Sequence, residues 1–433
     1  MRHVLLALAL VGMPLLAAAA GEPMILGVQT HFAYDRKVNA ARVIEWIQAA
    51  RIASTRDEMF WNDVEDTAGG YTIRNSAQAS RDVWWNRLPA TAPLLILGYG
   101  HPRWDAGGQP RSADAVAAYA KYAGWLVGET KQRVRMVELW NEWNLKAGAV
   151  PAAGAQGGAG DYVRMTAAAL KAVKAVDPGV KVLVGGVGED HPDWRWMREA
   201  LAQGLLDGAD GVSVHLYNHC DSANVGADEM LRRLERLQVL MKTRAEREVP
   251  VYLTEVGWPV HQGACQVSEA DAAVFTLRLL LEASLRDWLK GVWVYESIDS
   301  GDEPGNREHR FGLLRRDGSE RAAGCAVREF GAVIAARPAQ RVRNGNVTVA
   351  VYHEAGRSTV FVWDREGSRG ARVRARTSAA TVPAAPAALP CQMKTGMVAA
   401  AATQLELRAE LNGARPAVFV LPQLITIEGV QVD

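Results

Sequence analysis

The sequence predicts a (β/α)8 barrel that is followed by a small antiparallel β-sandwich. Short apolar runs alternate with longer amphipathic runs eight times within about 310 residues, which suits a closed parallel barrel. After about residue 337 the pattern changes to short alternating runs that are typical of antiparallel strands. We therefore divide the chain into a signal segment at 1–20, a barrel at 21–336 and a β-sandwich at 337–433.

Eight predicted strands alternate with eight predicted helices. The predicted strands are 25–30, 52–56, 93–97, 134–140, 182–185, 211–216, 250–254 and 292–295. The predicted helices are 38–50, 77–88, 114–130, 161–176, 193–203, 227–245, 268–286 and 322–336.

An open doubly wound sheet is the main alternative to the barrel. Such sheets, when they bind dinucleotides, open with a glycine-rich turn after the first strand. Here the first strand leads into Gln29-Thr30-His31-Phe32, which contains no glycine. The barrel is therefore favoured.

The predicted β-sandwich contains strands at 347–352, 358–363, 404–409 and 417–421, with an Ala/Pro-rich loop at 379–390. It could bind sugar or pack against the barrel. Sugar-binding modules commonly present aromatic platforms. Only Trp363 of the 14 tryptophans lies in this part, so packing is favoured.

Composition and the N-terminus bear on partners and location. The chain has 49 Lys and Arg and 48 Asp and Glu, so its charge of +1 gives no reason to expect nucleic acid or an anionic membrane as partner. A basic start, an apolar run at 4–16 and small residues at 17–20 are typical of a cleaved export signal. A retained membrane anchor is the alternative, although the run is short for a span of about 20 residues. We expect a periplasmic or secreted protein without stable membrane insertion after cleavage.

Four cysteines are present, and three pairings are possible. Cys220 and Cys265 follow the sixth and seventh predicted strands, whose loops share one rim of the barrel. We favour this pair, which leaves Cys325 to pair with Cys391. An even number of cysteines suits an exported protein, and the lack of C-x-x-C spacing argues against a zinc site.

Two glutamates come at the carboxyl ends of predicted strands. The fourth strand ends in Trp140-Asn141-Glu142-Trp143-Asn144, and the seventh ends in Thr254-Glu255-Val256-Gly257-Trp258. Barrel enzymes work at this end of their strands. Two carboxyl groups that face each other over a cleft suit cleavage of a glycosidic bond.

These two runs resemble the pattern of glycoside hydrolase clan A, and within it the family 39-like glycosidases. That group includes enzymes encoded beside bacterial exopolysaccharide synthesis genes. The resemblance spans roughly residues 24–336 and fits a barrel followed by a β-sandwich. It implies that Glu142 is the acid/base and Glu255 the nucleophile.

The resemblance also implies supporting residues around the two glutamates. Asn141 would hydrogen-bond the sugar 2-hydroxyl, and Arg56, at the end of the second strand, would keep Glu255 ionised. Tyr217 would donate to Glu255, and His215 would lie nearby with a similar role. Purely structural roles in the barrel remain the alternative for His215 and Tyr217.

The implied reaction is a double displacement. Glu255 attacks the anomeric carbon while Glu142 protonates the leaving oxygen, and Glu142 then activates water, so that configuration is retained. No metal and no organic cofactor is required, and we expect a monomer.

Five tryptophans at or near strand ends, namely Trp61, Trp104, Trp143, Trp258 and Trp293, are candidates for stacking on sugar. Core packing is the alternative for each of them. Trp258 is the preferred candidate because it follows Glu255 closely and Pro259 restricts the chain beside it.

Other acids could compete for the same roles. Glu138 is expected to pair with a base inside the barrel, Glu296 is an alternative catalytic acid, and Asp57 with Glu58 could line a subsite. Most acids in the loop at 297–311, which are Asp299, Asp302, Glu303 and Glu308, are expected to be solvated.

The expected function is a retaining glycoside hydrolase that acts on β-glycosidic bonds of a polysaccharide, with endo action on an exopolysaccharide matrix preferred. The alternatives are an exo-acting β-glycosidase such as a β-xylosidase, and a catalytically silent barrel that binds polysaccharide.

Overall fold

A computed structural model describes residues 21–33, 40–131, 133–148, 157–188, 193–221, 223–364, 370–377, 391, 397–401, 404–411 and 415–432. Eight parallel strands close into a barrel in the order β1 to β8, so the predicted fold is confirmed. The barrel strands are β1 (Ile25–Gln29), β2 (Ser54–Phe60), β3 (Ala92–Gly98), β4 (Met136–Leu139), β5 (Lys181–Gly188), β6 (Gly211–Leu216), β7 (Val251–Val256) and β8 (Leu289–Val294).

Helices follow the strands and cover the barrel. They are α1 (Ala40–Ala49), α2 (Asn75–Asn86), α3 (Ala113–Thr130), α4 (Ala159–Val176), α5 (Arg195–Ala202), α6 (Ala227–Ala245), α7 (Glu269–Ser284), α8 (Ala322–Ala326) and α9 (Ala332–Ala335). Serines begin two of them, because the Ser112 and Ser268 side chains accept from the backbone N–H three residues later.

The ends of most elements differ from the predictions by a few residues, and two differences change the description of an element. Strand β2 begins at Ser54 rather than Ile52 and runs on to Phe60, so Asp57 and Glu58 lie within the strand. The single helix predicted at 322–336 is interrupted by a π-helical turn at Val327–Gly331 between α8 and α9. The π-turn could not be predicted from apolar periodicity, because it shifts the helical period by only one residue.

The amino-terminal end of the barrel is filled with apolar side chains. Trp293 of β8 packs there with residues near the starts of other strands, namely Ile25, Leu94, Met136, Leu183 and Tyr252. Glycines make room for this indole, since a Cβ at Gly27 or Gly291 would lie 2.2 or 2.4 Å from it. We call this set the apolar plug.

The C-terminal part forms two four-stranded antiparallel sheets, which confirms the predicted β domain. Their strand orders are β15-β11-β10-β9 and β13-β14-β12-β16. The strands are β9 (Gln340–Asn344), β10 (Val347–Glu354), β11 (Arg357–Asp364), β12 (Gly370–Thr377), β13 (Met397–Ala401), β14 (Gln404–Glu410), β15 (Ala417–Leu421) and β16 (Ile425–Val432). Strands β9, β12, β13 and β16 were not predicted, and the predicted loop at 379–390 lies outside the described residues.

The β domain packs directly on the barrel helices. Trp363 is fully buried and donates from Nε1 to Glu282 Oε1 of α7 at 2.9 Å. Arg278 of the same helix donates to the Asp364 carbonyl. The only tryptophan of this domain is therefore used for packing between domains, as the sequence favoured.

Both predicted disulfides are confirmed, Cys220–Cys265 and Cys325–Cys391. The first joins the loops after β6 and β7, and the second ties the β domain to α8. The predicted signal at 1–20 lies outside the described residues, and no described helix combines the length and apolarity that a membrane crossing needs.

Candidate active site

The two predicted glutamates meet at the carboxyl end of the barrel. Glu142 follows β4 and Glu255 lies in β7, and carboxylate oxygens of the two are within 4.8 Å of each other and of a His215 ring nitrogen. They line an open cleft of about 290 Å³. The other lining residues are Gln29, His31, Glu58, Tyr99, Asn141, Leu145, Tyr217, His219, Tyr295, Arg307, Glu308 and Phe311.

Arg56 is the centre of the buried network under this cleft. Its guanidinium donates to Glu138 at 2.7 Å, to Glu255 at 2.6 Å and to Asn141 Oδ1 at 2.8 Å. A further bond of 2.8 Å goes to Gln29. The planar fork of an arginine suits such simultaneous contacts, which a lysine could not make.

Glu255 is held in its ionised form. Burial opposes ionisation, but His215, Arg56 and the Tyr217 hydroxyl outweigh it and lower the pKa of Glu255 below its usual range. Tyr217 donates to Oε2 at 2.8 Å, and Arg56 donates to Oε1. The carboxylate is therefore fixed and charged, as a nucleophile needs to be.

His215 bridges the two glutamates. Its Nδ1 lies 2.9 Å from Glu142 Oε1 and 3.6 Å from Glu255 Oε1, and the ring is fully buried. Burial alone would lower the pKa of His215, but the carboxylates of Glu255, Glu138 and Glu142 have the larger effect and raise this pKa to about 9. The proton on Nδ1 is thus directed at Glu142.

Glu138 lies one layer deeper and pairs with a base, as predicted. It accepts from Arg56 and, at 2.8 Å, from the Thr254 hydroxyl. Burial favours its neutral form, but Arg56 and His215 overcome this and lower the pKa of Glu138 to about 2. Glu138 therefore neutralises Arg56 from below and does not reach the cleft.

Asn141 is oriented by two partners. Its Oδ1 accepts from Arg56, and its Nδ2 donates to the Tyr99 hydroxyl at 3.0 Å. An amide nitrogen carries two protons, so one N–H of Asn141 remains for a ligand in the cleft.

The backbone around Glu142 is shaped by neighbouring glycines. Glu142 has φ 47°, in the left-handed region, and its N–H donates to the Gly186 carbonyl at 2.8 Å. A Cβ at Gly188 would lie 2.3 Å from Glu142 Oε1. The glycines that end β5 thus leave room for the carboxyl group.

The five tryptophans do not line the cleft, contrary to the expectation of sugar stacking. Trp61, Trp143 and Trp293 are fully buried, and Trp258 is 4% exposed. Trp258 donates to Asn218 Oδ1 at 3.0 Å, and half-buried Trp104 packs under the Arg103 guanidinium. A position at a strand end does not decide which side the ring faces, and these rings fill space around the barrel.

Aromatic residues that the sequence analysis did not select line the cleft instead. Tyr99 and Tyr295 come directly after β3 and β8, and Phe311 lies in the loop that follows β8. Tyr295 ends the predicted strand at 292–295, and Tyr99 comes two residues after the predicted strand at 93–97, so a search at and just beyond each predicted strand end would have found both tyrosines. Phe311 carried no such positional signal.

Several competing acids have other partners. Glu296 is buried and lies 2.9 Å from His31 Nε2. Asp299 is not solvated, since it is fully buried and accepts from Arg321 at 2.6 Å and Arg310 at 3.3 Å. These two ion pairs anchor the loop after β8, which brings Arg307 and Glu308 to the cleft.

Glu142, His215 and Glu255 are also the described residues that are spaced to hold a metal ion. Two features oppose cation binding there. The permanently charged Arg56 guanidinium already pairs with Glu255. The raised pKa of His215 favours its protonated form, which cannot bind a metal ion.

Comparison with known proteins gives one family match. The family model for cellulase (glycosyl hydrolase family 5) matches residues 17–286, which is more than half of the chain. No curated protein shows significant sequence similarity to the chain.

Solved structures share the fold at low sequence identity. A family 39 glycoside hydrolase from Bacteroides cellulosilyticus WH2 has a TM-score of 0.66 and 21% identity, over 92% of this chain and 81% of that one. A monomeric β-xylosidase from Caulobacter crescentus CB15 has a TM-score of 0.64 and 15% identity, over 94% of this chain and 98% of that one. A GH30 endoxylanase from Clostridium papyrosolvens C71 has a TM-score of 0.58 and 10% identity, over 93% of this chain and 97% of that one.

Proposed function

Because the chain belongs to the cellulase family of glycosyl hydrolases (family 5) and is thus a clan A glycoside hydrolase, we propose that it cleaves β-linked polysaccharide by double displacement. In this proposal Glu142 is the acid/base and Glu255 is the nucleophile. The expected location is the periplasm or the exterior, which the two disulfides support.

The spacing of the two carboxyl groups carries the proposal. One oxygen of the Glu142 carboxyl group lies within 4.8 Å of one oxygen of the Glu255 carboxyl group. Retaining glycosidases hold these groups about 5–5.5 Å apart, whereas inverting enzymes need about 6.5–9.5 Å to admit a water molecule. The short spacing supports direct attack by Glu255 on the anomeric carbon.

The surrounding network supports the division of roles. Glu255 starts ionised because Arg56 and Tyr217 hold its charge. In the first step of this proposal Glu142 gives a proton to the leaving oxygen, as the bond from that oxygen to the anomeric carbon breaks and the Glu255 oxygen bonds to this carbon. The Nδ1–H of His215, at 2.9 Å, then stabilises the Glu142 carboxylate until it takes a proton from the attacking water.

In this proposal Asn141 assists the transition state. Asn141 lines the cleft with one N–H left over, and the sugar 2-hydroxyl would lie beside this amide and Glu255. A bond to this hydroxyl strengthens as positive charge develops on the sugar ring. Arg56 and Tyr99 orient the amide so that this N–H is the one presented.

For the substrate, we favour endo action on an exopolysaccharide matrix, which rests on the sequence resemblance. Exo action of the β-xylosidase type is the second candidate, because the similar structures include a protein described as a β-xylosidase. A silent binding barrel is disfavoured, because both carboxyl groups and their supporting bonds are present.

The test combines substrate screening with two variants. The purified protein is incubated with a panel of β-linked polysaccharides and p-nitrophenyl β-glycosides, with product sizing and NMR of the first anomer released. Glu142→Gln and Glu255→Gln are each expected to lower kcat on the best polysaccharide by at least about 10⁴-fold. Glu329→Gln, on the π-turn after β8, is the matched control and should keep parental activity.

The outcomes separate the parts of the proposal. Release of the inverted anomer would exclude double displacement. Parental turnover by Glu142→Gln would remove the assignment of acid/base. Product size distinguishes endo from exo action, since exo action releases only short products from the start.

A further inference from the structure

Two polar side chains of the cleft lack the hydrogen bonds that buried groups normally make. Among the described residues, Glu58 Oε2 and both ring nitrogens of His219 are buried and have no hydrogen-bond partner. Glu58 is 4% exposed and His219 is 7% exposed, yet both line the cleft. Because buried polar groups are nearly always paired, such atoms indicate a place for a ligand or water.

Glu58 is presented by the same strand as Arg56. The two are separated by one residue in β2, so their side chains point to the same side, into the barrel mouth. Burial and the neighbouring Asp57 carboxylate raise the pKa of Glu58 well above its usual range. A carboxyl group that holds a proton can donate as well as accept, which suits a sugar hydroxyl.

His219 is held in place without use of its nitrogens. Its ring packs edge-on against Tyr217 and Phe311, and the next residue, Cys220, is fixed by the disulfide to Cys265. Burial and the charges of Arg307 and His261 lower the pKa of His219 to about 4. The neutral ring offers one donor and one acceptor.

The two residues lie on opposite sides of the same cleft. Strands β2 and β6 are four positions apart in the closed eight-stranded barrel, and His219 follows β6 by a few residues. We propose that Glu58 and His219 bind different hydroxyl groups of the sugar that Glu255 attacks, and so determine which sugar is accepted. This inference rests on the proposed function.

The proposal explains why Glu58 Oε2 and both ring nitrogens of His219 stay buried and unpaired. An unpaired buried polar group destabilises the folded protein, whereas a bound hydroxyl supplies the missing bond. A sugar that lacks the matching hydroxyl leaves the group unpaired in the complex. Such sites therefore reject the deoxy analogue strongly.

The experiment pairs variants with deoxy sugars. Parent, Glu58→Leu and His219→Phe are assayed on the most rapidly cleaved of the p-nitrophenyl β-D-xyloside, glucoside and galactoside, and on its 3-deoxy and 4-deoxy analogues. His101→Phe, a buried histidine outside the cleft, is the matched control. Thermal melting of each variant checks folding.

In the parent, loss of a contacted hydroxyl should lower kcat/KM by roughly 10- to 100-fold. In Glu58→Leu the penalty for one hydroxyl should nearly vanish while that for the other persists, and His219→Phe should show the converse. If either variant fails to fold, Glu58→Asp or His219→Gln replaces it, and the matching penalty should shrink in the same way.

The outcomes distinguish this inference from the function itself. The inference alone would be overturned if the parent hydrolyses the glycosides and removal of a hydroxyl lowers kcat/KM by the same factor in the parent and in the variants. A purely structural role of Glu58 or His219 lowers kcat/KM for all substrates by the same factor. No hydrolysis of any glycoside or polysaccharide by the parent would overturn the proposed function, and the inference with it.

Discussion

The two ends of the barrel are stabilised by opposite means, although the same eight strands build both. The apolar plug at the amino-terminal end packs Trp293 against aliphatic and aromatic side chains. The carboxyl-terminal end contains Arg56 with Glu138, Glu255 and His215 in a buried charged network. The side chains of the apolar plug only stabilise the fold, whereas in the charged network the Arg56–Glu255 ion pair also holds the proposed nucleophile in position.

The largest expected effect is that of Arg56→Met. Removal of the guanidinium leaves Glu138 and Glu255 buried without their partner, which should lower the free energy of unfolding by about 3–5 kcal/mol. Hydrolysis should also be nearly lost, because the charge of Glu255 is no longer supported. Urea unfolding and kcat/KM of the same preparation measure both effects, and parental kcat/KM would contradict the role given to Arg56.

Trp293→Ala provides the counterpart in the apolar plug. We expect a loss of about 3–5 kcal/mol in the free energy of unfolding, because a large cavity forms among residues that cannot collapse into it. Activity per folded molecule should stay within a few-fold of the parent, since Trp293 does not line the cleft. A loss of activity at temperatures where the variant is fully folded would show that the two ends are coupled.

Acid should weaken the charged end selectively. The pKa of Glu138 is about 2 in the folded protein, below its ordinary value of 4.5, so its contribution to stability is present above pH 4.5 and is lost as the pH falls toward 2. The depressed pKa corresponds to about 3 kcal/mol. Urea unfolding from pH 6 to pH 2.5 should show this slope, and Glu138→Gln should be less stable but show a shallower slope. If the free energy of unfolding falls equally steeply with pH in the parent and in Glu138→Gln, Glu138 is not the group that causes the acid sensitivity.

Tyr217→Phe is expected to have the smallest effect. It removes one hydroxyl bond of 2.8 Å to Glu255 and keeps the ring packing with Phe311. The loss of one bond to a charged group should lower kcat by about 10-fold, with little change in melting temperature. A kcat equal to that of the parent would show that Arg56 alone suffices to hold Glu255.

Much of this arrangement could be predicted because it depends on local order along the chain. The alternation of strands and helices, the glutamates at the ends of β4 and β7, and the cysteines after β6 and β7 all follow from sequence position. In a closed barrel, the carboxyl ends of all strands meet at one rim, so position along each strand predicts proximity in space. Glu138 was likewise expected below the rim because it lies four residues before Glu142.

The tryptophans show where this reasoning stops. Trp258 is near Glu255 in sequence, but its ring turns away from the cleft and bonds Asn218. Tyr295, which is no more distinctive in sequence, lies in the cleft. Direction of a side chain at a strand end depends on the twist of the strand and on space left by neighbouring elements.

By itself, the sequence determined the fold class and the strand ends that carry the two glutamates, since both depend on periodicity or on order along the chain. It favoured one of three cysteine pairings, and the structure decided between them. Tertiary structure alone decided that Arg56 bonds Glu138, Glu255 and Asn141 at once, and that Glu58 Oε2 and the ring nitrogens of His219 are buried at the cleft without a partner. Such features depend on distances between residues far apart in the chain, which only the closed barrel sets.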